Sequence, residues 1–299
     1  MIFIDRTKVT VPKILTDPKG KAAEEISKAI AHFSSPEKDK PFEFKVYSDK
    51  VVKKALTKLF NGKCAYCENK IISITTGDIE HFRPKGQVKL SDNTLQKPGY
   101  FWLAADWDNL LLSCNNCNRK TTQEVLDGSD LAMGKLDQFP LLDESKRCKA
   151  YEADQALLKK KLMSDEEARL LINPCIDDPE LHLVYQDNGV PKAKIDDKTK
   201  KPSIKGEKSI EVFALFRKPL VEERQELIRD ILLRIAQAKK MFEGLVNAKK
   251  NNDAVSQQLF DDLLKTQINA LSDLTKPDKR FSAVARQLIL PFLKENNLI

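Results

Sequence analysis

Two Cys-x-x-Cys pairs, Cys64 with Cys67 and Cys114 with Cys117, constrain this chain more than any other feature. A Cys-x-x-Cys turn lets two sulfurs reach one metal, and two such turns supply the four thiolates of one tetrahedral Zn2+. The stretch between the pairs is then clamped at both ends, so the residues it carries are held near the site. A redox dithiol is another reading of a single pair, but two pairs without a thioredoxin-like setting disfavour it. A zinc-stabilised module that binds nucleic acid without catalysis is the stronger alternative. Cys148 and Cys175 lack this spacing and read as free, buried thiols.

The clamped stretch holds Asp78-Ile79-Glu80-His81-Phe82-Arg83-Pro84-Lys85 and Trp107-Asp108-Asn109, and Asn118 follows the last cysteine. Of the three histidines, His32 has no acidic or cysteine neighbours and reads as incidental. His182 reads as structural or as a secondary contact. His81 would usually be a satisfied core residue, but its setting favours catalysis. A neutral imidazole can accept a proton from water near neutral pH. Glu80 and Asn118 offer hard oxygen ligands, which suit Mg2+ or Mn2+ better than a second zinc. Asn109 is expected to tie the loop and orient the His81 ring. Asp78 reads as a further ligand, an outer hydrogen-bond partner or a strand-end carboxylate. Arg83, Lys85, Arg119 and Lys120 are expected to grip phosphates.

Net charge bears on that reading only weakly. The chain has 299 residues, 51 of them Lys or Arg, and a formal charge of +7, compatible with a polyanion partner or with simple solubility. No apolar run approaches the length of a membrane span, and the start of the chain lacks a signal-peptide core. A cytoplasmic protein is expected, where cysteines ligate metals more often than they pair.

Periodicity outlines the rest. Ile2 and Ile4 suggest a strand start. Residues 20–33 read as a helix. Ser48 reads as the cap of a second helix over Asp49 to Phe60, with Val51, Val52, Ala55, Leu56 and Leu59 as its apolar face. Residues 71–76 are β-rich, Asp78 to Phe82 reads as extended, and Tyr100 to Ala105 as a short helix. Leu110 to Leu112 reads as a buried strand and Asn115 to Thr122 as a helix. Ser164 to Glu167 has a capping-box pattern, and Asp187-Asn188-Gly189 reads as a turn between strands. From Ser209 onward the pattern is helical. Leu227, Ile231, Ile235, Ala238, Phe242 and Leu245 form one stripe; Leu259, Leu263, Ile268 and Leu271 form a second. Phe281, Val284, Leu288 and Phe292 form a third that bends or ends at Pro291. Core packing is the usual meaning of such stripes, and partner docking is the other.

Together Cys64-x-x-Cys67, Glu80-His81, Asn109 and Cys114-x-x-Cys117-Asn118 resemble the HNH endonuclease ββα-metal motif set in a four-cysteine zinc site. The resemblance extends to the PtuB-like HNH nucleases of Septu-type and retron-associated anti-phage systems. It rests on Cys64-Ala-Tyr-Cys-Glu68, Asp78-Ile-Glu-His-Phe-Arg-Pro-Lys85 and Trp107 through Asn118, covers residues 60–140, and is weaker at Leu171 to His182. Asn118 stands where the family name has its last histidine, and Glu80 replaces the commoner Asp. The resemblance implies a one-metal endonuclease cutting DNA or, alternatively, RNA beside an ABC-type, PtuA-like ATPase. The expected architecture is α+β and mainly helical. It comprises an N-terminal region (1–59), the HNH core (60–140), an accessory region (141–205) and a helical region available for docking (206–299).

Overall fold

The computed structural model describes residues 1–73 and 75–298 of an α+β chain built from helices and short antiparallel ladders. Met1, Ile2 and Ile4 are buried, but the strand expected there does not form. Ile4 N–H donates to the Pro174 carbonyl at 2.8 Å, and proline has no N–H with which to continue a ladder.

A one-turn helix α1 (Lys13–Thr16) leads to α2 (Lys21–Phe33). From α2, the Glu25 carboxylate accepts the backbone N–H groups of Lys45 and Val46 at 2.7 and 3.1 Å. That contact fixes the entry to α3 (Lys50–Leu59). Asp49 caps α3 in place of the expected Ser48, accepting from Val51 N–H at 2.8 Å. Ser48 closes the preceding turn, its hydroxyl donating to the Lys45 carbonyl at 2.7 Å. Helix α3 buries Val52, Leu56 and Leu59, while Val51, expected on the same face, is exposed. Asn61 and Gly62 take positive φ (52° and 68°) and end the helix. Residues 71–76 form no strand among the described residues, and Ile74 lies outside them. The stretch instead turns back, with Ile71 N–H on the Gly62 carbonyl at 3.0 Å.

Strand β1 (Asp78–His81) is followed by a small ladder of β2 (Val88–Lys89) and β3 (Leu95–Gln96). The helix expected over Tyr100 to Ala105 is only a 3-10 turn, Phe101–Leu103. Strand β4 (Leu110–Ser113) is wholly buried and pairs antiparallel with β1, placing His81 opposite Leu110. Helix α4 (Asn115–Asn118) follows at once. It stops four residues short of the expected Thr122 because its last carbonyls are engaged elsewhere. Lys135 N–H donates to Cys117 O at 3.0 Å and Leu136 N–H to Asn118 O at 2.6 Å. The β-branched Thr121 and Thr122 enter β5 (Thr121–Glu124), paired with β6 (Asp130–Met133) across a turn with Gly128 at φ 83°.

Helix α5 (Gln155–Ala168) begins before the Ser164 pattern, because the Asp154 carboxylate accepts from Ala156 and Leu157 N–H at 2.9 and 3.2 Å. Strands β7 (Leu183–Tyr185) and β8 (Pro191–Ala193) pair across Asn188-Gly189. Helices α6 (Ile204–Val212), α7 (Lys218–Lys250), α8 (Ala254–Leu274) and α9 (Ser282–Glu295) complete the chain. Helices α7 and α8 form a hairpin joined through Asn252 at positive φ, and α9 runs through Pro291 without ending. The apolar stripes outrun the core they serve. Ile231, Ala238, Leu245, Leu264 and Leu271 are buried, whereas Phe242, Leu259 and Leu263 are 43, 55 and 41% exposed. Among the described residues no helix is long and apolar enough to cross a membrane.

A single apolar cluster joins distant parts of the sequence. Cys64 and Tyr66 share it with Phe213, Leu215 and Phe281, and the Tyr66 ring stacks on Phe213 with centroids 3.8 Å apart. Packing therefore runs continuously across residue 206. One glycine is critical to the region beside α4. Gly134 has φ 129°, and a Cβ there would lie 1.9 Å from the Arg119 carbonyl oxygen. Gly134→Ala should lower stability by at least ~1–3 kcal/mol, measured by chemical denaturation; unchanged stability would refute this account of the turn.

Candidate metal centre and catalytic cleft

The two cysteine turns are built by different local means and meet on β4. In the first, Glu68 takes φ 63° and its N–H donates to the Cys64 carbonyl at 3.0 Å. Ala65 N–H donates to Leu112 O at 2.8 Å, which pins this turn to β4. In the second, Cys114 precedes α4 and Cys117 lies in its single turn. The four Sγ atoms all lie within 4.8 Å of one another. Cys67 and Cys114 sulfurs are 3.8 Å apart, close to the ~3.8 Å edge of a tetrahedron with zinc–sulfur bonds of ~2.3 Å. Buried Arg217 aims Nη1 at Cys117 Sγ (3.5 Å) and Nη2 at Cys114 Sγ (3.9 Å). Neutral thiols would leave that guanidinium without a counter-charge, whereas four thiolates around one divalent ion match it. The residues present therefore fit a four-sulfur metal site. Cys148 is buried and Cys175 half-buried, both outside this cluster.

Beside the sulfur cluster, β1 and the end of α4 form one edge of a cleft of ≈ 840 Å³. Asp78, Glu80, His81, Lys85, Asn118 and Arg119 all line it. His81 Nε2 lies 3.0 Å from the Ala104 carbonyl oxygen. A carbonyl only accepts, so Nε2 carries the proton and Nδ1 keeps the basic lone pair. Burial pushes the imidazole down to about 3, with Lys85 and Lys135 adding repulsion against the Ala104 hydrogen bond. His81 is therefore neutral at physiological pH.

Glu80 is buried beside it and ion-paired to Lys135, Oε1 to Nζ, at 2.6 Å. Lys135 Nζ also donates to the His81 carbonyl at 2.9 Å. Asn109 bridges the chain after β1: its Oδ1 accepts from Arg83 N–H at 2.7 Å, and its Nδ2 donates to Arg83 O and Leu103 O at 3.0 and 3.2 Å. Asn118 Nδ2 donates to Asp78 Oδ2 at 2.9 Å, which leaves its amide oxygen as an acceptor. Asp78 also receives Arg119, Nη2 to Oδ1 at 2.8 Å. The arrangement offers a neutral base, a carboxylate, an amide oxygen and cations around one opening.

Two expected phosphate contacts lie elsewhere. Arg83 turns away from the cleft. Its Nε and Nη2 donate to Asp165 Oδ1 at 3.0 and 2.8 Å, and Nη2 donates to Glu166 Oε2 at 2.7 Å. Tyr100 hydroxyl adds a 2.8 Å hydrogen bond to the same aspartate. Lys120 is exposed but does not line the cleft. His182 hydrogen-bonds Ser203 at 2.7 Å, and His32 faces the Lys40 carbonyl at 2.9 Å, both outside the site. The sequence reading missed Lys135, which no local pattern marks, and Tyr47, whose ring meets His81 edge-on at 4.5 Å.

Two outcomes follow from this geometry. Cys64→Ser should lose bound metal by elemental analysis and melt at lower temperature; full metal content with unchanged melting would refute the four-sulfur site. Arg83→Ala should destabilise the chain by about 3–5 kcal/mol, because Asp165 is left buried without its cation. Equilibrium denaturation reads this directly, and an effect near zero would return Arg83 to the surface.

No protein-family model matches the chain. Among curated proteins it is similar to the Septu protein PtuB of Bacillus mycoides (strain KBAB4), with 37% identity over 268 residues. That alignment covers 86% of this chain and 80% of the relative. A 179-residue stretch, 59% of this chain, is 31% identical to the Septu protein PtuA of the same organism and spans 21% of that longer protein. With identity at this level across most of both PtuB and this sequence, the chain belongs to the PtuB family of Septu proteins.

Proposed function

We propose that this chain is a metal-dependent HNH-type endonuclease, the nucleic-acid-cutting component of a Septu anti-phage defence system that includes a PtuA-like ATPase. The observation that carries the reading is where His81 sits. Its Nε2 is fixed on Ala104 O, and it shares a cleft with Glu80 and Asn118. In this reading Nδ1 takes the proton from an attacking water. Asn109 holds the turn that follows β1 and so fixes where the imidazole sits. Lys135 holds one Glu80 oxygen and the His81 carbonyl, which orients both residues at once.

The free oxygens of Glu80 and Asn118 are the groups that would hold Mg2+ or Mn2+, hard cations that prefer such donors. When bound, a divalent ion polarises a phosphate and offsets charge on the leaving oxygen. Lys85 and Arg119 meet flanking phosphates. The four-cysteine centre carries Zn2+ and serves structure, since all its ligands are protein sulfurs. DNA is the favoured substrate. Attack by external water leaves a 2′-hydroxyl idle, so RNA is the alternative.

His81→Ala in the full chain, assayed with its ATPase partner and Mg2+ or Mn2+ on DNA and RNA, should lose at least ~100-fold in cleavage rate. Zinc content should stay at the level of the unaltered chain. Cleavage at the original rate would sink the nuclease assignment of His81.

A further inference from the structure

Helix α3 and the turn before it supply a second wall of the cleft that the catalytic reading does not use. Tyr47, Lys50, Lys53 and Lys54 all line the same opening as His81. The Tyr47 ring contacts the His81 ring, and the Lys85 ammonium sits 4.6 Å from the Tyr47 centroid. Lys53 is anchored, its Nζ donating to the Gly77 carbonyl at 2.6 Å. Lys50 and Lys54 are exposed and have no ion-pair partner among the described residues.

Two of the acidic groups facing this wall are paired with cations, Asp78 with Arg119 and Glu80 with Lys135. Asp137 accepts only the neutral Gln87 Nε2 at 2.8 Å and keeps its charge. The wall is therefore a positive surface, Lys50, Lys53 and Lys54, opposite one carboxylate that no cation pairs among the described residues. Lys50 and Lys54 are one helical turn apart, ~6 Å along the axis. A nucleic-acid strand carries one charge per ~3.4 Å of its axis, so this interval spans about two phosphates. Such a wall suits a polynucleotide, since ammonium groups track the backbone, and the half-buried Tyr47 borders the same opening.

We propose that the segment Tyr47–Lys54 is a nucleic-acid-binding wall that grips the phosphates beside the scissile one. The proposal rests on the nuclease reading for the placement of the reacting bond, but its test is equilibrium binding and needs no cleavage. Labelled 20-nucleotide DNA and RNA, single- and double-stranded, are titrated with the full chain across a salt series without added Mg2+ or Mn2+. Lys50→Ala/Lys54→Ala should reduce the slope of log K against log salt by about 1.4–1.8, two contacts at ~0.7 to ~0.9 each. Lys239→Ala/Lys240→Ala, two exposed lysines on α7, serves as the control for net charge and should leave the slope in place.

Metal content and melting temperature of the Lys50/Lys54 variant establish that it is folded. An unchanged slope, an equal fall in the control, or no salt-dependent binding by the original chain would each overturn the wall. A slope that falls as expected, in a chain that cleaves neither DNA nor RNA with its ATPase partner and Mg2+ or Mn2+, would leave the wall standing and remove the nuclease reading.

Discussion

Everything at the cleft depends on the convergence of four cysteine sulfurs against β4. Cys64 and Cys67 end the approach from α3, whereas Cys114 and Cys117 begin and fill the single turn of α4. A one-turn helix has almost no stability of its own. A two-strand pair of four residues per strand has little more. Joining both to one sulfur cluster, with the Arg217 guanidinium closing the charge, gives these short pieces a fixed frame. Asn118 follows the last sulfur directly, so the same contact that ends the cluster also aims a cleft residue.

The second constraint is electrostatic. The region buries ionisable groups in matched sets: Glu80 with Lys135, Asp165 with Arg83 and Tyr100, and Arg217 with sulfur. A buried charge without a partner is costly, and removing one partner exposes that cost. His81 escapes it by staying neutral, its ring held by the Ala104 carbonyl and packed on Tyr47. Positive charge that remains unmatched lies on the rim, at Lys50 and Lys54, where solvent or a polyanion can meet it.

Local signals were legible where a segment's structure depends mainly on itself. Helix α2, the α3 interior, the buried β4 and the Asn188-Gly189 turn follow from periodicity and turn chemistry that need no distant partner. The two cysteine pairs likewise named their own meeting, because the spacing within each pair sets how sulfurs present. Expectations failed where a remote group decides. Helix α4 stops early because residues 135 and 136 take its carbonyls. Helix α5 starts early because Asp154 offers a cap that outranks Ser164. Arg83 looked like a phosphate ligand beside His81, but Asp165 and Glu166, in the last turn of α5, claim it.

The sequence by itself determined the sulfur set, the α+β character and the candidates Glu80, His81, Asn109 and Asn118, since each is carried by residue type and short-range spacing. Tertiary structure alone decided which of them share an opening, which nitrogen of His81 keeps its lone pair, and which cations face outward. Those outcomes depend on groups far away in the chain: Lys135 beneath Glu80, Ala104 on the imidazole, and α5 on Arg83. Charge and hydrogen bonding act through space over a few ångströms, so no reading along the chain can assign them before the chain is folded.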